Sequence, residues 1–418
     1  MSKIVIHGGS RLFGSVKIQG SKNSALPIMA ASLLNSGITV IQNCPDISDV
    51  RIMRSILEYI GCVINRDDDA LIIDSKNAVS KEITPDMTSK LRASSVLLGP
   101  MLARFKKVQI ASPGGCDIGS RPLDIHLEAV KRLGAVWHFT DDALHVEARL
   151  LSGSDIYLRF PSVGATQNAV MAATMASGIT HISNAAKEPE VVCLCQFLKS
   201  MGVDISGEGT QEIIVKGMCE LTDTLFKVPA DRIAAGTYMA AVGACGGDIR
   251  LIGCTPDDMH GFLNVYRDMG IHYMETGDDL RIWADERLKN IEQIDTGPYP
   301  DFPTDMQSVT MSVASVSLGM VKINENIFEN RFKIVKWLQK MGALISVDGK
   351  CVSVCGVKRL HGAGVCGEDL RGTAALVVAG LSADGITVIE NADYIYRGYV
   401  NICENFRKLG ADIEWKYM

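Results

Sequence analysis

Three things are missing from this 418-residue chain. No two of its 12 cysteines have C-x-x-C spacing, which argues against a structural zinc site. There is no excess of basic charge: 42 Lys and Arg face 48 Asp and Glu, a formal net charge of −6. That sign argues against nucleic acid or an anionic membrane as the main partner, yet leaves room for a small anion held by a local cluster of cations. No apolar run reaches the roughly 20 residues that span a bilayer before Gly, Ser or a charge interrupts it. The opening residues, MSKIVIHGG, lack the apolar core of a secretory signal. Most cysteines sit inside strand- or helix-like runs, so they read as reduced thiols and the protein as cytoplasmic. The length suits two or three domains.

What is present is a repeat. An amphipathic helix ending in a large apolar residue and Gly, followed by a strand, recurs as LEYIGCVI, VKRLGAVW, LKSMGVDI, YRDMGIHY, LQKMGALI and FRKLGADI. The glycines are Gly61, Gly134, Gly202, Gly270, Gly342 and Gly410, separated by 73, 68, 68, 72 and 68 residues. Glycine stops a helix there because it tolerates a left-handed backbone. Each repeat opens on a small-residue helix, such as GSKNSALPIMAASLL, SKLRASSVLLGPMLA or EDLRGTAALVVAGLS. The pattern predicts helix, strand, helix, strand, strand, with a further strand entering the next repeat. The sixth repeat stops short, and KIVIHGGSRLFGSVKIQG has the pattern of its closing strands. The expectation is therefore two domains of three repeats, 22–229 and 230–418 plus 1–21. The two crossings, near 21 and 229, would act as a hinge.

The repeat also shows where charge is unusual. Lys22, Arg92, Ser162, Arg232, Asp305 and Arg371 stand at the openings of the first helices. A cation there opposes the helix dipole, at a cost of about 0.3–1 kcal/mol at an exposed site. Basic side chains beside helix amino termini suggest anion sites. Taken singly, each side chain fits a solvent-facing or carboxylate-paired role better, and only the recurrence at four equivalent positions favours a site; Asp305 in PTDMQ, taken alone, fits a helix N-cap. The loops before the second helices carry Asp46, Cys116 to Arg121, Glu188, Glu190, Asp257, Glu329, Arg331 and Arg397. Two such charged ends facing each other would make a cleft closed by the hinge.

GSKNSALP, PGGCDIGSRPLDIH, PSVGATQN, AAKEPEVV, PDFPTDMQ, FENRF, DLRGTAALV and YRGY together resemble the UDP-N-acetylglucosamine 1-carboxyvinyltransferase family, in register with the repeats and over essentially the whole chain. The resemblance implies an α/β fold of six βαβαββ repeats, three per domain, as inside-out α/β barrels. It implies transfer of the enolpyruvyl group of phosphoenolpyruvate to the 3-hydroxyl of UDP-N-acetylglucosamine, with loss of phosphate, and no metal or organic cofactor. It implies Cys116 as proton donor, able to form an adduct with phosphoenolpyruvate and to react with fosfomycin. A free thiol with a pKa near 8.5 is mostly protonated at neutral pH, and the glycines let its loop approach a ligand. Asp305 matches the residue that contacts the sugar hydroxyl and is proposed as its base. Lys22, Arg121 and Arg397 match the cations around phosphoenolpyruvate. Asn23, Arg92, Arg121, Pro122, Leu123, Asp124, Ile125, Ser162, Val163, Gly164 and Ile327 match nucleotide-sugar contacts. Arg331 and Arg371 would line the site, and His126 would pack or bond locally. A monomer or weak oligomer is expected.

The chain departs from the family's usual residues at Ala234, Tyr396, Val400 and Phe160. Two other readings stand beside the main one. One is a shikimate-pathway enolpyruvyl transferase of the same fold. The other is a catalytically weak paralogue that binds the nucleotide sugar and regulates.

Overall fold

The residues that open each repeat fold into helices buried on every side. The computed structural model describes residues 2–111, 123–140, 143–218 and 220–417, without the side chains of Lys90, Arg92 and Ala93. Helices Lys22–Ala31, Val163–Ala173, Arg232–Cys245, Thr304–Val316 and Leu370–Ser382 are each enclosed over most of their length. They are rich in Ala, Gly, Ser and Thr, which let helix axes approach closely, and a helix apolar all round belongs in a core. Three of them, Arg232–Cys245, Thr304–Val316 and Leu370–Ser382, pack on one another. The hydroxyl of Ser312 donates across that packing to the Ala375 carbonyl at 2.8 Å. The strands lie outside and alternate in burial, as in Glu212–Lys216, where only Ile213 and Val215 are buried.

One pairing pattern recurs. Gln293–Asp295 runs parallel to Met320–Asn324, which pairs antiparallel with Cys351–Cys355, and that strand pairs antiparallel with Leu344–Asp348. The first of these strands comes from the preceding repeat, as the spacing predicts. The same relay places Asp155–Tyr157 beside Ile179–Ser183 and Gly364–Cys366 beside Ile386–Glu390. It also closes on itself. Thr224–Lys227, from the end of the third repeat, runs parallel to Ile38–Gln42 of the first. Ser2–His7 lies between Ile386–Glu390 and Asp412–Tyr417, antiparallel to both, and Leu12–Lys17 then joins Gly247–Ile252 of the fourth repeat.

All six repeat glycines have φ between +92° and +111°. That is a backbone region that side-chain-bearing residues avoid, which is why glycine recurs there. By contacts the chain divides into two compact units. One holds the described residues to Gln19 and from Ala230 onward, the other those between Gly20 and Pro229.

The second repeat departs from the pattern. Its opening helix is split into a 3₁₀ segment, Arg92–Leu97, and an α-helix, Leu98–Phe105, after a short helix Pro85–Lys90. Pro100 has no N–H for an i−4 carbonyl and its ring would collide with one, so the α-helix starts where Pro100 falls in its first turn. Its sheet has three strands, and the incoming parallel strand is reduced to an Ile83–Ile110 bridge.

No helix among the described residues is long and apolar enough to cross a membrane. Ten described cysteines are free, six of them buried. Burial pushes the Cys44 and Cys62 thiols up to about 11 and that of Cys195 to about 12, so they stay protonated.

Helices Leu98–Phe105 and Val163–Ala173 meet so closely that a Cβ on Gly99 would stand 2.6 Å from the Asn168 carbonyl oxygen. Gly99→Ala is expected to lower stability by about 1–3 kcal/mol through overpacking, read as a reduced urea midpoint.

Candidate active site

Asp305 is held by two opposite charges. It is the second residue of helix Thr304–Val316, so it does not serve as the N-cap that PTDMQ suggests; Pro303 takes that place, without a side-chain bond. The carboxylate is instead free to turn toward two guanidiniums. Arg331 Nη2 donates to Oδ1 and Arg371 Nη2 to Oδ2, each at 2.7 Å. Both arginine side chains are nearly enclosed, at 3% and 7% exposure, while that of Asp305 is 25% exposed. Burial works against the Arg371 charge, but Asp305, Tyr399 and Asp231 together hold the guanidinium above its ordinary pKa. Arg331 and Arg371, expected as cleft or supporting residues, both pair with Asp305.

The same unit places two further expected residues. Arg397 ends the 3₁₀ helix Ala392–Arg397 and is half-buried. Two residues on, the buried Tyr399 shares a 2.7 Å hydrogen bond between its hydroxyl and Thr237. Ile327 is half-buried in the loop after strand Met320–Asn324, and its N–H donates to the Glu325 carboxylate at 2.9 Å.

In the other unit, Lys22 begins helix Lys22–Ala31, behind Ser21, whose hydroxyl caps the helix by accepting from the Ser24 N–H. Lys22 Nζ lies 2.6 Å from Oδ2 of Asp49, a carboxylate only 1% exposed in the first turn of helix Ser48–Tyr59. Asn23 follows, half-buried, and Pro27 offers no N–H to its carbonyl. Leu123 is the N-cap position of helix Asp124–Arg132. Asp124 accepts from the Ile125 N–H at 2.9 Å and pairs with Arg159. Ser162 caps helix Val163–Ala173 by accepting from the Ala165 N–H, which leaves Ser162, Val163 and Gly164 half-buried. His126 is buried; its Nδ1 accepts from Asn168 Nδ2 at 2.8 Å, and a Cβ on Gly164 would reach within 2.9 Å of its ring. Arg92 begins its 3₁₀ helix, but its side chain, like Cys116, Arg121 and Pro122, lies outside the described residues.

The helix-end anion sites read from the sequence are changed by these caps. Asp231 accepts from the N–H groups of Ile233 and Ala234, both at 2.9 Å, and Asp369 accepts from Gly372 N–H at 2.8 Å. Donors offered to a ligand are thus taken by the helices' own caps. Asp46, singled out in the sequence, forms a surface pair with Arg51, which holds its carboxyl below the usual range.

Comparison with known proteins bears on what this arrangement is for. A model of the EPSP synthase (3-phosphoshikimate 1-carboxyvinyltransferase) family matches residues 6–406. UDP-N-acetylglucosamine 1-carboxyvinyltransferase 2 of Caldanaerobacter subterraneus subsp. tengcongensis is 42% identical over 99% of both chains. The UDP-N-acetylglucosamine 1-carboxyvinyltransferase of Finegoldia magna is 43% identical, again over 99% of each. The chain belongs to the UDP-N-acetylglucosamine 1-carboxyvinyltransferase family. The fold agrees. The enolpyruvyl transferase NikO of Streptomyces tendae superposes with a TM-score of 0.88 at 23% identity, covering 99% of this chain and 98% of that one. An EPSP synthase of Acinetobacter baumannii gives 0.77 at 18%, over the full length of both.

Departures from the family's usual residues sit in settled surroundings. Ala234 is enclosed in the core. The Tyr396 ring packs on Trp415 with centroids 4.4 Å apart, and the Val400 N–H donates to Gln19 Oε1 at 2.7 Å. Phe160 is 43% exposed. Among the described residues no group of His, Cys, Asp and Glu is placed to hold a metal ion.

Sequence reasoning missed Asp49, an acid in a helix first turn, and Glu325, an acid directly after strand Met320–Asn324. Asp305→Ala would leave two buried guanidiniums without their shared carboxylate. A loss of about 3–5 kcal/mol is expected, measured by urea denaturation.

Proposed function

We propose that this chain is an enzyme that transfers the enolpyruvyl group of phosphoenolpyruvate to the 3-hydroxyl of UDP-N-acetylglucosamine and releases phosphate. That reaction is the first committed step of peptidoglycan synthesis. The observation that carries the reading is the near-complete match, in both directions, to relatives of that name. Identity to the EPSP synthase structure is far lower, at 18%, which favours the nucleotide sugar over a shikimate acceptor.

In the addition, the sugar oxygen attacks C2 of phosphoenolpyruvate, C3 takes a proton, and the hydroxyl proton leaves. In the elimination, C3 gives up a proton and the C2–O bond to phosphate breaks. Cys116 supplies the proton to C3; a thiol does so readily at neutral pH. Asp305 receives or orients the hydroxyl proton. Its two 2.7 Å bonds from enclosed arginines fix the direction of the carboxylate, and fixed direction is worth more than charge alone. Lys22, Arg121 and Arg397 offset the carboxylate and phosphate charges of phosphoenolpyruvate. Lys22 brings its own partner, Asp49, so the pair is close to neutral until an anion draws on it. Asn23, Arg92, Arg121 to Ile125, Ser162 to Gly164 and Ile327 take the nucleotide sugar. Arg331 and Arg371 act through Asp305. No metal or organic cofactor enters the scheme, and the cytoplasm supplies both substrates.

Purified protein given both substrates is expected to release phosphate, and to release none when shikimate 3-phosphate replaces the sugar nucleotide. Binding of UDP-N-acetylglucosamine without phosphate release would instead establish a regulatory paralogue. Cys116→Ser is expected to lose about 10²- to 10⁴-fold in kcat, because a serine hydroxyl is a far weaker acid. Lys22→Ala is expected to raise KM for phosphoenolpyruvate about 10- to 100-fold, the worth of one charge-assisted hydrogen bond, in steady-state assays at unchanged near-ultraviolet circular dichroism.

A further inference from the structure

The carboxylate of Glu325 is almost wholly enclosed, at 2% exposure. Every hydrogen bond it accepts among the described residues comes from a neutral donor. Thr296 Oγ1 donates to Oε1 at 3.1 Å, and Thr304 Oγ1 to Oε2 at 2.9 Å. The backbone N–H groups of Ile327 and Phe328 donate to Oε1 at 2.9 and 3.0 Å. A buried acid costs several kcal/mol to desolvate, and a glutamate serving only the core would be replaceable by apolar packing. What these four donors share is their position. Thr304 opens the helix whose next residue is Asp305. Ile327 is an expected sugar contact. The ring of Phe328 lies 5.1 Å from the guanidinium carbon of Arg331, which in turn holds Asp305. Around this group the loop is stapled a second time: Asn326 N–H donates to Thr296 Oγ1 at 2.9 Å and Asn326 Nδ2 to the Thr296 carbonyl at 3.1 Å.

We infer that Glu325 is a positioning residue for the acceptor side of the reaction. One buried carboxylate fixes the helix start that aims Asp305, the loop that presents Ile327, and the aromatic ring beside Arg331. This rests on the reading that Asp305 and Ile327 meet the sugar. A carboxylate is the group that fits, because four donors converge on it. A glutamine of the same shape can still accept at the Oε1 position, but its NH2 reverses the bond with Thr304 and the negative charge that draws the Ile327 and Phe328 N–H groups in is lost. The displacement needed to matter is small, since about 1 Å at a reacting group costs on the order of 10²-fold in rate.

The test uses the full chain with both substrates, at a temperature where each variant's melting curve shows it folded. Glu325→Gln is expected to lower kcat about 10- to 100-fold and to raise KM for UDP-N-acetylglucosamine, while KM for phosphoenolpyruvate stays within about twofold. Glu325→Asp, which keeps the charge but shortens the reach, is expected to recover part of the kcat. Thr304→Val cuts only the link to the helix start and is expected to lower kcat with little change in either KM. A folded Glu325→Gln with kcat and both KM values unchanged overturns the inference, as does a lower melting temperature alone. Should Glu325→Gln fail to fold, an unchanged kcat in Thr304→Val overturns it. Asp305→Asn is run alongside. If that variant is inactive while Glu325→Gln is normal, only this inference fails; if Asp305→Asn turns over normally, the assignment of Asp305 itself fails.

Discussion

Each repeat gives away its last strand. Of the two edges of a repeat's three antiparallel strands, one lies open to the preceding repeat, and an unpaired edge is a liability in water. The incoming strand from the preceding repeat covers that edge, and after three repeats the relay returns to its start. Threefold closure is why the opening helices are enclosed on every side and can be built from Ala, Gly and Ser. It is also why each repeat brings the beginning of its first helix close to the loop before its second.

That shared geometry explains how the candidate site's side chains are held. Asp49 reaches Lys22, from the second helix of one repeat to the first. Arg331 reaches Asp305 in the corresponding way, and Arg371, at the start of the next repeat's helix, completes the clamp. In both units a charged group is fixed by an opposite charge that is more buried than itself. The buried partner supplies direction, and the other keeps the greater exposure. The cost is carried by the surrounding core, which must tolerate guanidiniums and carboxylates with little water.

Much of this was legible in the sequence, for a local reason. A positive φ at a helix end selects glycine by sterics within one residue, so the six glycines announce the repeats without knowledge of any partner. The order of helices and strands followed from their spacing. Asp305, Lys22 and Arg397 were singled out through resemblance and not through chemistry alone, since an acid near a helix start reads more readily as a cap. Pairings were illegible: Asp49 lies 27 residues from Lys22, and Glu325 is 21 residues from Thr304. Nothing in either local stretch names the other. The split helix around Pro100 was also missed, because alanine and leucine on both sides mask a single backbone defect.

The strand Ser2–His7 has a consequence for how the molecule is made. Its neighbours, Ile386–Glu390 and Asp412–Tyr417, leave the ribosome roughly 380 residues later, about 20–80 s at ordinary synthesis rates of about 5–20 residues per second. For that interval an apolar ribbon waits with both edges open, while the residues between Gly20 and Pro229 already have every strand they need. One half of the protein is therefore completed during translation and the other only at its end. The polar side chains of Lys3 and His7 on the strand itself disfavour its pairing with a wrong edge in the meantime.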